Sequence, residues 1–244
     1  MIKLKVTKYG NLYQITFLPM LFPINAFLVE EEEYFIAVDV GVKNFIPAFR
    51  KISQLVGKPI HMLLLTHAHG DHVNGVPAFR QAFPNATIGI SKRDARLLNK
   101  DFTLTEKEGK EKIKGGFPKE KIPIDFTFVE QDIFGSLVVI SSPGHTPGSV
   151  SFYDSNRRML IAGDAFQERG GLAVSGDFRW RFPFPALATW DKKRAWSSAK
   201  KLAELKPKLV AVGHGNTLVE PMEKMREAIM REERKLYGKK DNNG

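Results

Sequence analysis

A short stretch rich in metal-binding side chains limits the possible folds and functions of this chain more than any other feature. It covers residues 66–72 and reads Thr-His-Ala-His-Gly-Asp-His. It follows the apolar run Met62–Leu65, which is typical of a buried strand. In an extended backbone, residues two positions apart point to the same side, so His67 and His69 can face one ion. The stretch therefore predicts a metal site at the end of a strand.

The second half of the stretch favours two ions. Gly70 permits a tight turn, which would bring Asp71 and His72 round to a second ion close to the first. Further candidate ligands each follow a strand-like run and stand beside a turn residue; they are His145, Asp164 and His214. The alternative is that polar residues gather at strand ends by chance. Clustered histidine and aspartate in this pattern favours a metal site over that alternative.

The order of these residues resembles the metallo-β-lactamase-fold hydrolases over nearly the whole chain. The motif is His-x-His-x-Asp-His, followed by a histidine before Thr-Pro-Gly, then Gly-Asp and Gly-His. The resemblance implies one metal held by His67, His69 and His145, and another held by Asp71, His72 and His214, with Asp164 bridging the two. Asp39 opens a turn similar to the family's Asp-x-Gly turn, which implies that Asp39 orients a ligand.

The resemblance also implies the fold class. That class is α+β, a four-layer αβ/βα sandwich of two mixed β-sheets flanked by helices. The hydrophobic patterns agree with alternating strands and helices, with helices predicted over 45–56, 73–80, 93–99, 191–205 and 220–237. Residues 99–124 lack regular patterning, so they form either a mobile lid over the site or a solvated connection away from it.

Composition limits the remaining possibilities. The 244 residues contain no linker, which predicts a single domain over 1–237 and a disordered tail over 238–244. Without cysteine, the ligands must be nitrogen and oxygen.

No apolar run reaches the ~20 residues of a membrane span, and residues 1–6 alternate like a strand, so we expect a cytoplasmic protein without a membrane partner. The net charge of +10 favours acidic substrates, but the charge runs mix both signs, which argues against nucleic acid as a partner.

Zinc is the expected cofactor, as two divalent ions, with iron or manganese as alternatives because imidazole and carboxylate suit all three. Two such ions would activate a bridging hydroxide, and the resemblance implies that Asp71 orients it and passes a proton to the leaving group.

Family members that act on β-lactams usually lack the bridging aspartate, and oxygen-reducing members carry an acidic residue at the position of His69. These differences leave a hydrolase of a small ester, thioester or lactone. The alternatives are a phosphodiesterase or ribonuclease, and a metal-retaining binding protein without turnover.

The segment between Asp164 and residue 191 carries the substrate hypothesis. It is rich in glycine and proline and holds aromatic and arginine side chains, so it is predicted to overhang the metals and bind an anionic small molecule. The residues assigned to binding are Phe166, Arg169, Arg179, Trp180 and Arg181, and Phe182 and Phe184 belong to the same predicted loop. The alternative is that the aromatic residues cap the core or form a homodimer contact and that the arginines face water.

Overall fold

The first β-sheet is mixed, and its seven strands are neighbours in chain order. The computed structural model describes residues 4–238, so most of the predicted tail, 239–244, lies outside the described residues. The strands are β1 (Lys5–Tyr9), β2 (Leu12–Phe17), β3 (Ile24–Glu30), β4 (Phe35–Val38), β5 (Ile60–Leu65), β6 (Thr87–Ser91) and β7 (Phe126–Phe128). Strands β1 to β4 pair antiparallel, and β4 to β7 pair parallel.

The second sheet has six strands in the order β15-β14-β11-β10-β9-β8. They are β8 (Ile133–Phe134), β9 (Leu137–Ser141), β10 (Val150–Asp154), β11 (Met159–Ile161), β14 (Leu209–Ala211) and β15 (Leu218–Val219). Only the pair β11 and β14 is parallel among the pairings of this sheet within residues 4–238. A separate hairpin joins β12 (Phe166–Gln167) to β13 (Ala173–Val174).

The helices are α1 (Phe45–Val56), α2 (Gly70–Val73), α3 (Val76–Ala82), α4 (Lys92–Leu98), α5 (Phe184–Ala188), α6 (Lys192–Glu204) and α7 (Met222–Tyr237). Helices α1, α3 and α4 pack on the outer face of the first sheet, helices α6 and α7 pack on that of the second, and α2 and α5 lie at the end of the sandwich that carries the cavity. No helix in the described range 4–238 combines the length and the apolar composition that crossing a bilayer requires.

Three hydrophobic clusters lie between four layers, which confirms the predicted sandwich. Strand β4 contributes residues to two of these clusters, because successive strand residues point to opposite faces. Phe35 and Ala37 pack with α1 and α3, whereas Ile36 and Val38 pack against the second sheet. On the far side, Leu160 of β11 packs with α6 and α7. The core therefore consists of helix–sheet, sheet–sheet and sheet–helix layers.

Local patterns predicted most elements closely, and the helix expected over 73–80 is the main difference. The helix α1 has the predicted bounds and ends at Gly57, which adopts a left-handed conformation. After the metal-binding motif, however, the chain forms two short helices, α2 and α3, broken at Asn74 and Gly75. Gly75 donates its backbone N–H to Val40 O at 2.7 Å, so contact with the turn after β4 interrupts the helical ladder.

Candidate metal centre

The carboxyl ends of strands from both sheets bring the candidate ligands together. The motif of residues 67–72 follows β5, His145 follows β9, Asp164 follows β11 and His214 follows β14. Across the gap between the sheets, the N–H of Val150 donates to Thr66 O at 2.9 Å, and the N–H of Asn25 donates to Gly213 O at 2.9 Å. These bonds hold the two groups of loops at the same end of the sandwich.

The structure brings all seven candidate ligands into one cluster. Two groups whose ligand atoms lie within 4.8 Å of one another match the sets implied by the sequence. One group is His67, His69 and His145, and the other is Asp71, His72 and His214.

Asp164 lies between these groups. Its Oδ2 is 3.3 Å from His145 Nε2 and 3.1 Å from His214 Nε2, and its Oδ1 is 3.3 Å from His72 Nε2. The arrangement can present nitrogen and oxygen donors to two neighbouring cations, and one carboxylate touches both groups.

Each histidine of the cluster binds an outer partner through one ring nitrogen and faces the cluster with the other. His214 Nδ1 donates to Pro23 O at 2.7 Å, and His72 Nδ1 donates to Asp39 Oδ2 at 2.7 Å. A carbonyl or carboxylate can only accept, so each of these nitrogens carries the proton. The second ring nitrogen of each is then free to bind a metal ion.

Several buried nitrogen and oxygen atoms of the cluster have no hydrogen-bond partner. They are His67 Nε2, His72 Nε2 and Asp164 Oδ1. Buried polar atoms are almost always paired, because an unsatisfied one costs about 1–3 kcal/mol. All three face their neighbours in the cluster. Unprotonated imidazole nitrogen and carboxylate oxygen suit divalent metal ions, so this donor set fits two such ions.

The histidines of the cluster fall into two groups, with pKa values shifted in opposite directions. Burial lowers the pKa of His67 well below its usual value and that of His145 to about 3, and neighbouring histidines contribute in the same direction. Burial also opposes protonation of His72 and His214, but Asp164 reverses this effect. Together with Asp39 it raises the pKa of His72 well above the ordinary value, and together with Asp71 it raises that of His214 to about 10. The carboxylates therefore attract positive charge into a buried site.

Asp39 occupies the position that the sequence indicated beneath the cluster. Its Oδ1 accepts the Thr66 N–H at 2.8 Å, and its Oδ2 accepts the Thr66 hydroxyl at 2.8 Å and His72 Nδ1 at 2.7 Å. The Thr66 hydroxyl oxygen lies 3.0 Å from His67 Nδ1. Gly41 completes this turn, because a Cβ there would lie 1.6 Å from the backbone oxygen of Asp71.

Asp94 supports the site but was not identified from the sequence. Its buried carboxylate accepts the Ala68 N–H at 2.9 Å, the Thr146 hydroxyl at 2.6 Å and the Gly148 N–H at 2.8 Å. It therefore joins the loop carrying His67 and His69 to the loop carrying His145. No local motif signals this role, since Asp94 looks like an ordinary acidic residue in the first turn of α4.

A cavity of about 910 Å³ opens above the cluster. Its floor includes His69, Asp71, His145, Asp164 and His214. Part of the irregular segment 99–124 forms one wall, through residues 115–122, and α5 with Phe22 contributes an apolar part of the lining. Of the two alternatives for this segment, the structure supports the one that places it over the site.

The residues assigned to substrate binding lie outside the lining of this cavity. Phe166 is fully buried in the core beneath α6 and α7. The Arg169 guanidinium donates to Met20 O, and that of Arg179 donates to Gly170 O at 2.9 Å. Arg181 stands over the ring of Trp180, which is 80% exposed. The cavity is instead lined by a later part of the same segment, notably Phe184 and Leu187.

Comparisons with known proteins agree with this geometry. The sequence profile of the Metallo-beta-lactamase superfamily matches residues 19–214. The chain is 46% identical over 229 residues to the uncharacterized protein YobT of Bacillus subtilis, covering 93% of this chain and 98% of YobT. It is 32% identical over 154 residues to Glyoxylase B2 of Dictyostelium discoideum, covering 62% of this chain and 47% of that protein. It is 27% identical over 113 residues to a hydroxyacylglutathione hydrolase of Bartonella tribocorum, covering 46% of this chain and 36% of that enzyme.

Solved structures share the fold. TTHA1623 in a di-iron-bound form superposes with a TM-score of 0.61 at 28% identity, covering 84% of this chain and 94% of that one. The metallo-beta-lactamase FIM-1 from Pseudomonas aeruginosa in its mono-zinc form has a TM-score of 0.70 at 16% identity, covering 94% and 96% of the two chains. With the profile match across most of its length, the chain belongs to the metallo-beta-lactamase superfamily, a superfamily of metal-dependent hydrolases.

Proposed function

We propose that this protein is a binuclear metal-dependent hydrolase that cleaves an ester, thioester or lactone bond in a small anionic substrate. One observation carries the proposal: seven buried or half-buried histidine and aspartate side chains cluster together, five of them line the floor of an open cavity, and three of the polar atoms of the cluster have no partner in the protein. A binding protein without turnover has no evident need for such a set below a substrate-sized cavity.

The proposed ligands follow the two groups of the cluster. His67, His69 and His145 would hold one ion, Asp71, His72 and His214 the other, and Asp164 would touch both. Two divalent ions bound there would polarise the scissile carbonyl and make water nucleophilic at neutral pH.

Zinc is the first choice for both ions, with iron or manganese as alternatives. The fold does not decide among them, because the similar structures TTHA1623 and FIM-1 were described with iron and with zinc.

Asp71 has a further proposed role in the reaction. Its side chain is 33% exposed, whereas that of Asp164 is only 3% exposed, and Asp71 lines the cavity. Asp71 Oδ2 is 3.4 Å from His214 Nε2, which restrains the carboxylate while leaving it accessible to the cavity. From this position it would accept a hydrogen bond from the attacking water and orient that water toward the substrate carbonyl.

The cavity walls indicate the kind of substrate. Phe22, Phe184 and Leu187 offer an apolar surface, and Lys119 and Lys121 of segment 115–122 add positive charge to the lining. A ligand with an apolar part and a carboxylate would use both surfaces. The name of the Bartonella relative, hydroxyacylglutathione hydrolase, denotes cleavage of an acylated thiol, which supports including thioesters among the substrates.

The decisive experiment combines metal analysis with a substrate panel. Protein stripped with a chelator and reloaded separately with zinc, iron and manganese should retain two ions per chain by elemental analysis. It should then hydrolyse a lactone, an ester or a thioester faster than β-lactams and phosphodiesters. The Asp164→Ala variant serves as the matched inactive control.

Each other outcome contradicts part of the proposal. Preferential cleavage of phosphodiesters would favour the phosphodiesterase or ribonuclease alternative. Two bound ions without turnover of any substrate class would favour a metal-retaining binding protein. One ion per fully loaded chain would exclude the binuclear site.

A further inference from the structure

We propose that residues 111–122, here called the strap, form part of the metal centre by positioning His69. In this inference, which rests on the proposed function, the backbone carbonyl of Lys114 selects the ring nitrogen that His69 presents to the metal. Gly115 is the residue that permits this contact. The strap lies more than forty positions along the chain from His69 and belongs to no ligand motif.

The hydrogen bond of His69 determines its tautomer. Nε2 lies 2.9 Å from Lys114 O, and a carbonyl oxygen only accepts, so Nε2 carries the proton. The unprotonated nitrogen of neutral His69 is then Nδ1, which lies 2.9 Å from His145 Nε2 inside the cluster. The structure therefore assigns Nδ1 as the ligand atom of His69, with the strap as its outer partner. Outer partners of this kind set the orientation and basicity of metal-binding histidines.

Gly115 is required for this close approach. A Cβ at residue 115 would lie 2.0 Å from His69 Nε2, a distance that no real contact allows. Gly115 also has a φ of +110°, in the region that side-chain-bearing residues rarely adopt. Any larger residue must therefore move either the strap or the imidazole ring, and both movements break the hydrogen bond to Lys114 O.

Other contacts hold the strap against the same loop. The Gly70 N–H donates to Gly116 O at 2.7 Å, directly beside His69 in the chain. The Phe117 ring packs on the His69 imidazole with centroids 4.8 Å apart. At the start of the strap, Trp190 Nε1 donates to Glu111 O at 2.7 Å. The strap thus contacts both sides of His69 and continues into the cavity wall that carries Lys119 and Lys121.

A linkage follows from these contacts. If the position of the strap favours metal binding, metal binding must favour that position of the strap by the same free energy. Loading of the site that contains His69 would then also order the wall that faces the substrate.

The test compares two glycine variants for metal binding. Gly115→Ala should weaken one of the two bound ions roughly 10–100-fold, measured by competition with a chromophoric chelator, and leave the other unchanged. Gly109→Ala, outside the strap, places a side chain at another positive φ, +79°, where a Cβ meets nothing within 4 Å. This control should bind two ions with wild-type affinity.

Electronic spectra of the cobalt-substituted proteins separate positioning from general destabilisation. A displaced His69 should change the spectrum of one site in Gly115→Ala, whereas a loss of stability alone would leave both spectra intact. Wild-type affinity and spectra for both ions in Gly115→Ala would overturn the inference. Failure of the wild-type protein to bind two ions would instead overturn the proposed function.

A second measurement keeps the inference testable if Gly115→Ala does not fold. Trypsin should cut wild-type protein at the exposed strap lysines Lys112 and Lys114 more slowly when it is metal-loaded than when it is stripped. The exposed residue Arg157, in the turn between β10 and β11 and outside the strap, serves as an internal control whose cleavage should not change. Equal cleavage of the strap in the two states, or equal protection of Arg157, would overturn the inference.

Discussion

Asp164 is the residue whose removal should affect the proposed chemistry most. It contacts histidines of both candidate metal groups, at 3.1–3.3 Å. We expect Asp164→Ala to reduce turnover by more than the roughly 10–100-fold typical of an outer partner, because it removes the shared donor itself. The fold should survive, since Asp164 lies at the cavity floor and outside the hydrophobic cores. Steady-state kinetics and circular dichroism at equal metal occupancy measure the two effects; near wild-type turnover with two ions bound would refute the bridging role.

A milder loss is expected from Asp39→Asn. The side chain keeps its shape and can still accept the Thr66 N–H, but an amide cannot match a carboxylate as acceptor for His72 Nδ1. Metal affinity or activity should fall roughly 10–100-fold. Chelator competition would measure the loss, and an affinity unchanged within twofold would show that Asp39 does not orient His72.

Asp94 gives the chain a pH-dependent stability. Burial raises its pKa to about 6, although three hydrogen bonds partly offset that effect. Between about pH 4 and 6 the folded state therefore binds more protons at this group than the unfolded state, so the contribution of Asp94 to stability falls as pH rises through that window. Above pH 6 the accumulated cost is on the order of 3 kcal/mol, from about 1.4 kcal/mol per pKa unit.

Urea unfolding of metal-free wild type and Asp94→Asn checks this prediction at several pH values. Asparagine does not titrate, so the stability of the wild type relative to the variant should decrease from pH 4 to pH 6 and then level off. A difference that stays constant across this range would mean that Asp94 does not titrate there.

The sequence predicted the residues of the cluster and one residue that orients them, Asp39, but not the other orienting residues. Local patterns place His67, His69 and His72 within one motif, so their proximity follows from spacing. Their outer partners are backbone carbonyls or single polar residues from distant segments, such as Lys114 O for His69 and Asp94 for the loop of residue 68. Such contacts depend on tertiary placement, which spacing along the chain does not encode.

At the scale of elements, regular segments were predictable and irregular ones were not. The apolar spacing of α1 gave its bounds directly, because burial of one face determines that helix. Residues 99–124 contain only one short 3₁₀-helix, at Glu106–Glu108. Their position over the site depends on hydrogen bonds such as Gly70 N–H to Gly116 O, which no local pattern reveals.

Two segments are candidates for binding the anionic group of a substrate. The sequence favoured the segment carrying Arg179, whereas the cavity is lined by Lys119 and Lys121 of the strap. Because exposed charge pairs are individually weak, we expect Lys119→Ala or Lys121→Ala to raise KM for an anionic ester or thioester about 2–5-fold, without changing KM for a neutral analogue.

Arg179→Ala serves as the comparison, since its guanidinium already binds Gly170 O. If the strap binds the anion, this variant should keep wild-type KM for both substrates. A rise in KM in Arg179→Ala with unchanged kinetics in both lysine variants would return the role to the segment favoured by the sequence.

At the scale of the whole molecule, the sandwich brings ligands from two sheets to one end, so metal binding should stabilise the entire fold. Asp39 and residues 67–72 belong to loops of the first sheet, and His145, Asp164 and His214 belong to loops of the second. At this junction His67 Nε2, His72 Nε2 and Asp164 Oδ1 have no hydrogen-bond partner in the protein. Cations bound there would connect the two halves of the molecule.

Removal of metal should therefore lower the melting temperature. An ion that binds only the folded state at 100 times its Kd adds about 2.7 kcal/mol, so two ions add about 5 kcal/mol. For a chain of this size that corresponds to about 10–20 °C between metal-loaded and chelator-treated protein. The double variant His67→Ala, His69→Ala should show about half of this difference, because Asp71, His72 and His214 remain to hold one ion. Calorimetric scans with and without chelator measure both values, and a full loss of the difference in the double variant would show that the two sites do not bind independently.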